Sequence, residues 1–147
     1  MPDFIKLPSE RVEQLRALSK ARNINMADLI AEYVNQQIAL GNLPDTVPGI
    51  AVRRRGARVS IDFGDFQKSF DTEVAVAFAK GMRWLATPRA RAMNTLLGEA
   101  LEAFAGFATV GLSRHATSIK VSEGGKHRTL APSIARDLAR VIEKAAA

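Results

Sequence analysis

Between Phe4 and Ile38 the apolar residues change period once and then pause at a single turn, and this stretch constrains the chain more than any other. Phe4 to Leu7 alternate, with Ile5 and Leu7 set to point one way and Phe4 and Lys6 the other, the period of a half-buried strand. From Val12 the spacing becomes helical, and Val12, Leu15 and Leu18, supported by Ala21, share one stripe. Asn23 suits the left-handed conformation that ends a helix. Asn25 suits the N-cap of the next one, with Asp28 three residues on. Leu29, Ile30, Val34 and Ile38 then make a second stripe, with Tyr33 beside it. The pattern predicts strand, helix, tight turn, helix. A lone short strand has nothing to pair with, and two short helices bury little. Such a unit requires a second copy to supply the other strand and the other half of the core.

These residues resemble a ribbon-helix-helix domain, the DNA-binding dimer of the Arc/MetJ/CopG type. The resemblance spans residues 2–40 without gaps: a strand ending Ile5-Lys6-Leu7-Pro8, the apolar positions Val12, Leu15 and Leu18, the turn Asn23-Ile24-Asn25, then Leu29-Ile30 and Val34. It implies a homodimer through residues 2–40 whose paired strands enter the major groove of double-stranded DNA. It also implies that the first amides of the second helix hold a phosphate. By that register Pro2, Phe4 and Lys6 face the groove. Lys6 has the reach to hydrogen-bond base edges, and Phe4 can touch a thymine methyl. Asn25 and Met26 fall at the phosphate.

Charge divides the chain. Residues 1–45 hold five basic and six acidic side chains, whereas residues 46–147 hold 16 basic and nine acidic ones, so the net charge of +6 belongs to the second part. That part is expected to meet an anion as well. The boundary falls in Gly41-Asn-Leu-Pro-Asp-Thr-Val-Pro-Gly49, a helix stop followed by a turn-rich connection. We therefore divide the chain into a ribbon-helix-helix domain, 1–45, and a basic α+β domain, 46–147. Directly after the boundary, Arg53, Arg54, Arg55 and Arg58 place four positive charges within six residues. One reading is a basic arm adding phosphate contacts. The other is a solvated loop or strand end, or arginines paired with carboxylates of this chain.

Beyond the arginines, Val59, Ile61 and Phe63 alternate, and Gly64-Asp65 separates them from Phe66 to Phe70, which predicts a β-hairpin. Asp71 is placed to cap a helix with Val74, Phe78, Met82 and Leu85 on one stripe. Thr87-Pro88 opens a long apolar helix expected to run to about Gly111 as the core of this domain. A second hairpin follows, Ser118 to Val121 and His127 to Leu130 around Gly124-Gly125, and then a helix from Pro132 with Ile134, Leu138, Val141 and Ile142 on its apolar face. The two hairpin-helix units, 57–85 and 117–145, suggest an internal repeat. Ile61-Asp62-Phe63 aligns with Ile119-Lys120-Val121, and Phe70 with Leu130 after two extra turn residues. Lys126 and Arg128 join the arginines as candidate DNA contacts. The expected fold class is α+β: an N-terminal strand and two helices, then two hairpins and about three helices.

No catalytic set can be assembled. The chain has no cysteine, and His115 and His127 sit beside Arg114, Lys126 and Arg128, with no acidic residue at a spacing that would orient them. Neither enzyme, cofactor nor metal is expected. The absence of an 18-residue apolar run or a signal peptide points to no membrane and a cytoplasmic protein. The functional expectation is a homodimeric transcriptional regulator, of the repressor kind, that reads DNA with an intermolecular β-ribbon. A protein or small-molecule effector would act at the second domain. The alternative is a dimeric interaction module whose first domain only dimerises.

Overall fold

A computed structural model describes residues 3–87, 110–115 and 118–147. The chain forms two compact units, 1–44 and 45–147.

The first unit is a helix pair, α1 (Ser9–Arg22) and α2 (Met26–Ala39). Pro8 starts α1, its carbonyl accepting from the amides of Arg11 at 3.0 Å and Val12 at 3.2 Å. Asn23 ends it in the left-handed region at φ 52°. Asn25 caps α2, its side chain accepting from the Asp28 amide at 2.8 Å. Both turn residues thus do what their chemistry favours. Arg22 and Glu32 tie the two helices by a bidentate ion pair, and the Ser19 hydroxyl donates to the Ile24 carbonyl.

The strand expected at Phe4–Leu7 is not formed. Residues 3–8 form neither helix nor ladder, so the unit reads helix, helix rather than strand, helix, helix. A strand exists only by pairing, and residues 3–8 pair with no described segment. That overturns the expected N-terminal architecture.

The second unit holds two three-stranded antiparallel sheets, each followed by a helix. Sheet 1 is β1 (Ala51–Arg55), β2 (Arg58–Asp62) and β3 (Gln67–Asp71), leading directly into α3 (Thr72–Ala86). Sheet 2 is β4 (Val110–His115), β5 (Ser118–Glu123) and β6 (Lys126–Leu130), followed by α4 (Pro132–Ala146). The sequence predicted hairpins. The first strand of each sheet was missed, because β1 buries little besides Val52 and reads as a run of arginines. The long helix expected from Pro88 lies outside the described residues up to position 109. It does not reach Gly111, since the chain is already in β4 at Val110.

The two halves are a repeat with one constant offset. Val59 pairs with Phe70 and Ile119 with Leu130; Val52 pairs with Ile61 and Leu112 with Val121. Every equivalent position therefore differs by 60, with no added turn residues, and Ile61 corresponds to Val121 rather than to Ile119. The turns match too, Gly64 and Gly124 both having positive φ. Equivalent residues fill the core in pairs: Val59 and Ile119, Ile61 and Val121, Phe78 and Leu138, Ala79 and Ala139, Met82 and Ile142 are all fully buried.

Packing between the halves is reciprocal. α3 and α4 lie against each other, α4 also covers β1 and β2, and α3 covers β4 and β5. Alanines at 75, 79, 135 and 139 are buried in the shared core and allow close helix approach. Arg83 and Glu143, which are equivalent positions, join α3 to α4 at 2.6 and 2.9 Å. Lys68 reaches Glu123 at 3.0 Å, and its equivalent Arg128 reaches the carbonyl of Phe63, the equivalent of Glu123, at 3.1 Å. Residue i touching j′ while i′ touches j describes two like halves about an approximate twofold axis.

Candidate nucleic-acid interface

In the first unit the sequence-predicted contacts are Phe4, Lys6, Asn25 and Met26. Phe4 and Lys6 lie on the segment before α1, both exposed, Phe4 at 91%. Asn25 and Met26 stand at the start of α2. The capping bond takes up the Asp28 amide, so the first amides of the helix, those of Met26 and Ala27, lie outside it. Beside this helix start runs an open apolar groove of about 390 Å³ between α1 and α2, lined by Leu15, Leu18, Leu29, Ile30 and Tyr33 with Arg22 and Glu32 on its rim. Leu29 is the only buried residue of the two helices; Ile30 is 53% and Tyr33 63% exposed.

In the second unit the structure sorts the basic residues that the sequence lists together. Alternation along β1 sends Arg53 and Arg55 to the outer face of sheet 1 and Arg54 to the face that carries Val59 and Phe70. Arg54 donates to the carbonyls of Ala146 at 3.3 Å and of Ala147, so it closes the C-terminus of α4, where a cation meets the negative end of the helix. Arg58 shares the outer face with Arg53 and Arg55 through the pairing Arg55↔Arg58. Its guanidinium holds Asp71 at 2.9 Å and the Ser69 carbonyl at 3.0 Å. Arg128 turns inward to Phe63 and packs beside Gly49 and Gly64, both at positive φ, where a β-carbon would stand 3.5 and 3.7 Å from its guanidinium nitrogens. Lys126 is exposed at the start of β6. Arg53, Arg55 and Arg58 thus come together, and Arg54 and Arg128 serve the fold.

Sequence reasoning passed over Ser60, Gln67 and Ser69, which share the outer face of sheet 1. Gln67 donates to the Ser60 hydroxyl at 2.7 Å, and a shallow depression of about 230 Å³ opens there between Arg53, Arg55, Ser60, Asp62 and Gln67. The signal was available in the alternation of β2, but without β1 beside it the face had only Arg58 to join. The outer face carries no aromatic side chain.

A larger depression, about 520 Å³, lies between residues 45–52, the β2–β3 turn and Val141. Asp45 on its border is engaged already, accepting from Arg140 at 2.9 Å and Lys144 at 3.3 Å. The hydrogen bond from Arg140 outweighs burial and holds the Asp45 carboxyl below its ordinary value, and Lys144 adds to the effect. Burial opposes the charge of Arg140, but Asp45 and Asp137 more than offset it and raise its pKa. Among the described residues no group of three histidine, aspartate or glutamate side chains is placed to hold a metal. No described helix is long and apolar enough to cross a membrane. Neither a family model, nor a curated protein, nor a solved structure matches this chain.

Proposed function

We propose that the chain is a homodimeric, sequence-specific DNA-binding protein, a regulator of transcription, that dimerises through its first unit. In this reading Lys6 and Phe4 meet base edges, and the start of α2 at Asn25 and Met26 meets phosphate. The observation that carries it is the unclosed core of the helix pair. Two 14-residue helices that bury one residue between them are far below what an independent core needs. The groove from Leu15 to Tyr33 gives a second copy a self-complementary apolar face, with Arg22 and Glu32 at its rim. The excess of cations in the second unit supports a polyanionic partner.

One observation favours a second reading, a dimeric interaction module that reads no DNA. Residues 1–45 hold fewer basic than acidic side chains, and Lys6 is the only cation in the segment before α1. Two measurements on the purified chain separate the readings: its mass by sedimentation, and its binding to random and to genomic-neighbourhood duplexes across a salt series. The DNA-binding dimer should prefer one sequence, and Lys6→Ala should remove that preference at a cost of about 1–3 kcal/mol. A dimer with no sequence preference would move the assignment to the interaction module. A monomer at micromolar concentration would sink both.

A further inference from the structure

The constant 60-residue offset supplies an internal control for the basic residues of the second unit, because each position in one half has a counterpart in the other that folds the same way. A charge that the βββα architecture needs should recur in both halves. A charge present in one half alone serves the fold only where it holds a partner, as Arg83 holds Glu143 and Lys144 holds Asp45. Three cations recur: Arg54 as Arg114, Lys68 as Arg128 and Lys80 as Arg140. For four of these six the structure shows what they hold: Arg54 the end of α4, Lys68 the Glu123 carboxylate, Arg128 the Phe63 carbonyl, Arg140 the Asp45 carboxylate.

Arg53, Arg55 and Arg58 behave otherwise. Their counterparts are Ser113, His115 and Ser118, so the second half builds the same strand positions with no permanent charge. All three lie on one face, Arg53 in the row Arg53↔Ser60↔Ser69 and the other two in the row Arg55↔Arg58↔Asp71. All three are exposed. Arg58 is oriented by Asp71 and Ser69, while Arg53 and Arg55 make no ion pair with a described residue. The two carboxylates of the face are both occupied, Asp71 by Arg58 and Asp62 by the Gly64 amide at 2.9 Å.

We propose that the outer face of sheet 1 is a phosphate-binding surface for the backbone of duplex DNA, with Arg53 and Arg55 as its principal contacts and Arg58, Ser60 and Gln67 beside them. This rests on the DNA-binding reading above and adds to it a second, sequence-blind contact on a different unit. Charge complementarity selects the occupant: two uncommitted arginines on a unit with a large excess of cations. The lack of an aromatic side chain gives unpaired bases nothing to stack on, so the face suits the duplex backbone rather than a single strand. Ser60 and Gln67 add hydrogen-bonding groups of the kind that position phosphate without reading sequence.

The test uses the full chain and the double variant Arg53→Ser with Arg55→His, the residues the second half already tolerates at these positions. Affinity for one random duplex is measured by fluorescence anisotropy from about 0.05 to 0.3 M salt. Removing two phosphate contacts should lower the slope of log K against log salt by about 2 and weaken binding roughly 10- to 100-fold near 0.1 M salt. The loss should be equal for every sequence, with the melting temperature unchanged. The same substitutions acting on a single-stranded oligonucleotide but not on the duplex would overturn the choice of occupant. An unchanged slope in a variant that still binds DNA would overturn the surface and leave the DNA-binding reading standing. A wild-type chain with no affinity for any duplex would remove both, and Lys6→Ala keeps the two failures apart because it acts on sequence preference and not on the sheet.

Discussion

A single carboxylate holds the loop that leads into the second unit. Asp45, only 22% exposed at its side chain, sits between Arg140 and Lys144 of α4, and Val47 and Ile50 follow it into the core. Because the folded chain keeps Asp45 ionised below its ordinary value of 3.8, its stabilising effect is complete above that value. It is lost as acid takes the pH down through the lower, folded value. Asp45→Asn should therefore be less stable than wild type at neutral pH, and the gap should close as denaturation curves are taken to acid below about pH 4. A gap that stays constant with pH would show that shape rather than charge is what Asp45 contributes. Legibility at this scale was uneven for a physical reason. Asn23 and Asn25 act on neighbours in the chain, so their roles could be read locally. Arg54 and Arg128 act on residues far away in sequence, and a run such as Arg53-Arg54-Arg55 does not say which of its members faces solvent until the strand beneath it is known.

Each helix of the second unit packs on strands of both halves. Phe78 and Leu138 occupy equivalent places in one core that α3, α4 and both sheets share. Truncating either to alanine should cost about 2–5 kcal/mol, and Ala79→Leu, which wedges apart two helices in contact, about 1–3 kcal/mol. Val74→Ala, on a partly exposed turn of α3, should stay within about 0.5 kcal/mol. Urea denaturation of the second unit should remain a single transition in all of these variants, whichever half is altered. Two separated transitions would mean that the halves fold alone. The described helices of this unit and the strands of the two hairpins were legible because their apolar periods are strong. The edge strands β1 and β4 were not, since β1 packs against the core only at Val52 and reads as a run of arginines, and β4 follows an apolar stretch that reads as helix. The repeat was noticed with a slipped alignment. Isoleucines at 61 and 119 look alike, but Ile61 faces Lys68 across the sheet whereas Ile119 faces Leu130, as Val59 faces Phe70, and that pairing fixes equivalence.

At the level of the whole chain the two units differ in kind. The second has a closed core built from both halves of the repeat, whereas the first leaves Ile30, Tyr33 and Leu18 in solvent. If the first unit is completed by a second copy, calorimetry should show one transition whose midpoint rises with protein concentration and one that does not move. Two concentration-independent transitions would refute the dimer. The period of α1 and α2 was legible at this scale, and the segment before them was not, because pairing depends on a partner and not on alternation alone. The reciprocal packing of the second unit also has a consequence for how the protein is made. The side chain of Arg54 closes a helix end 91 residues further along, and the inner face of sheet 1 lies under that same helix. At about 5–20 residues per second of synthesis, the first sheet leaves the ribosome roughly 4 to 15 seconds before α4 is complete. The part of this face that α4 rather than α3 covers spends that interval as a sticky surface on a nascent chain, which is a natural point of entry for a chaperone.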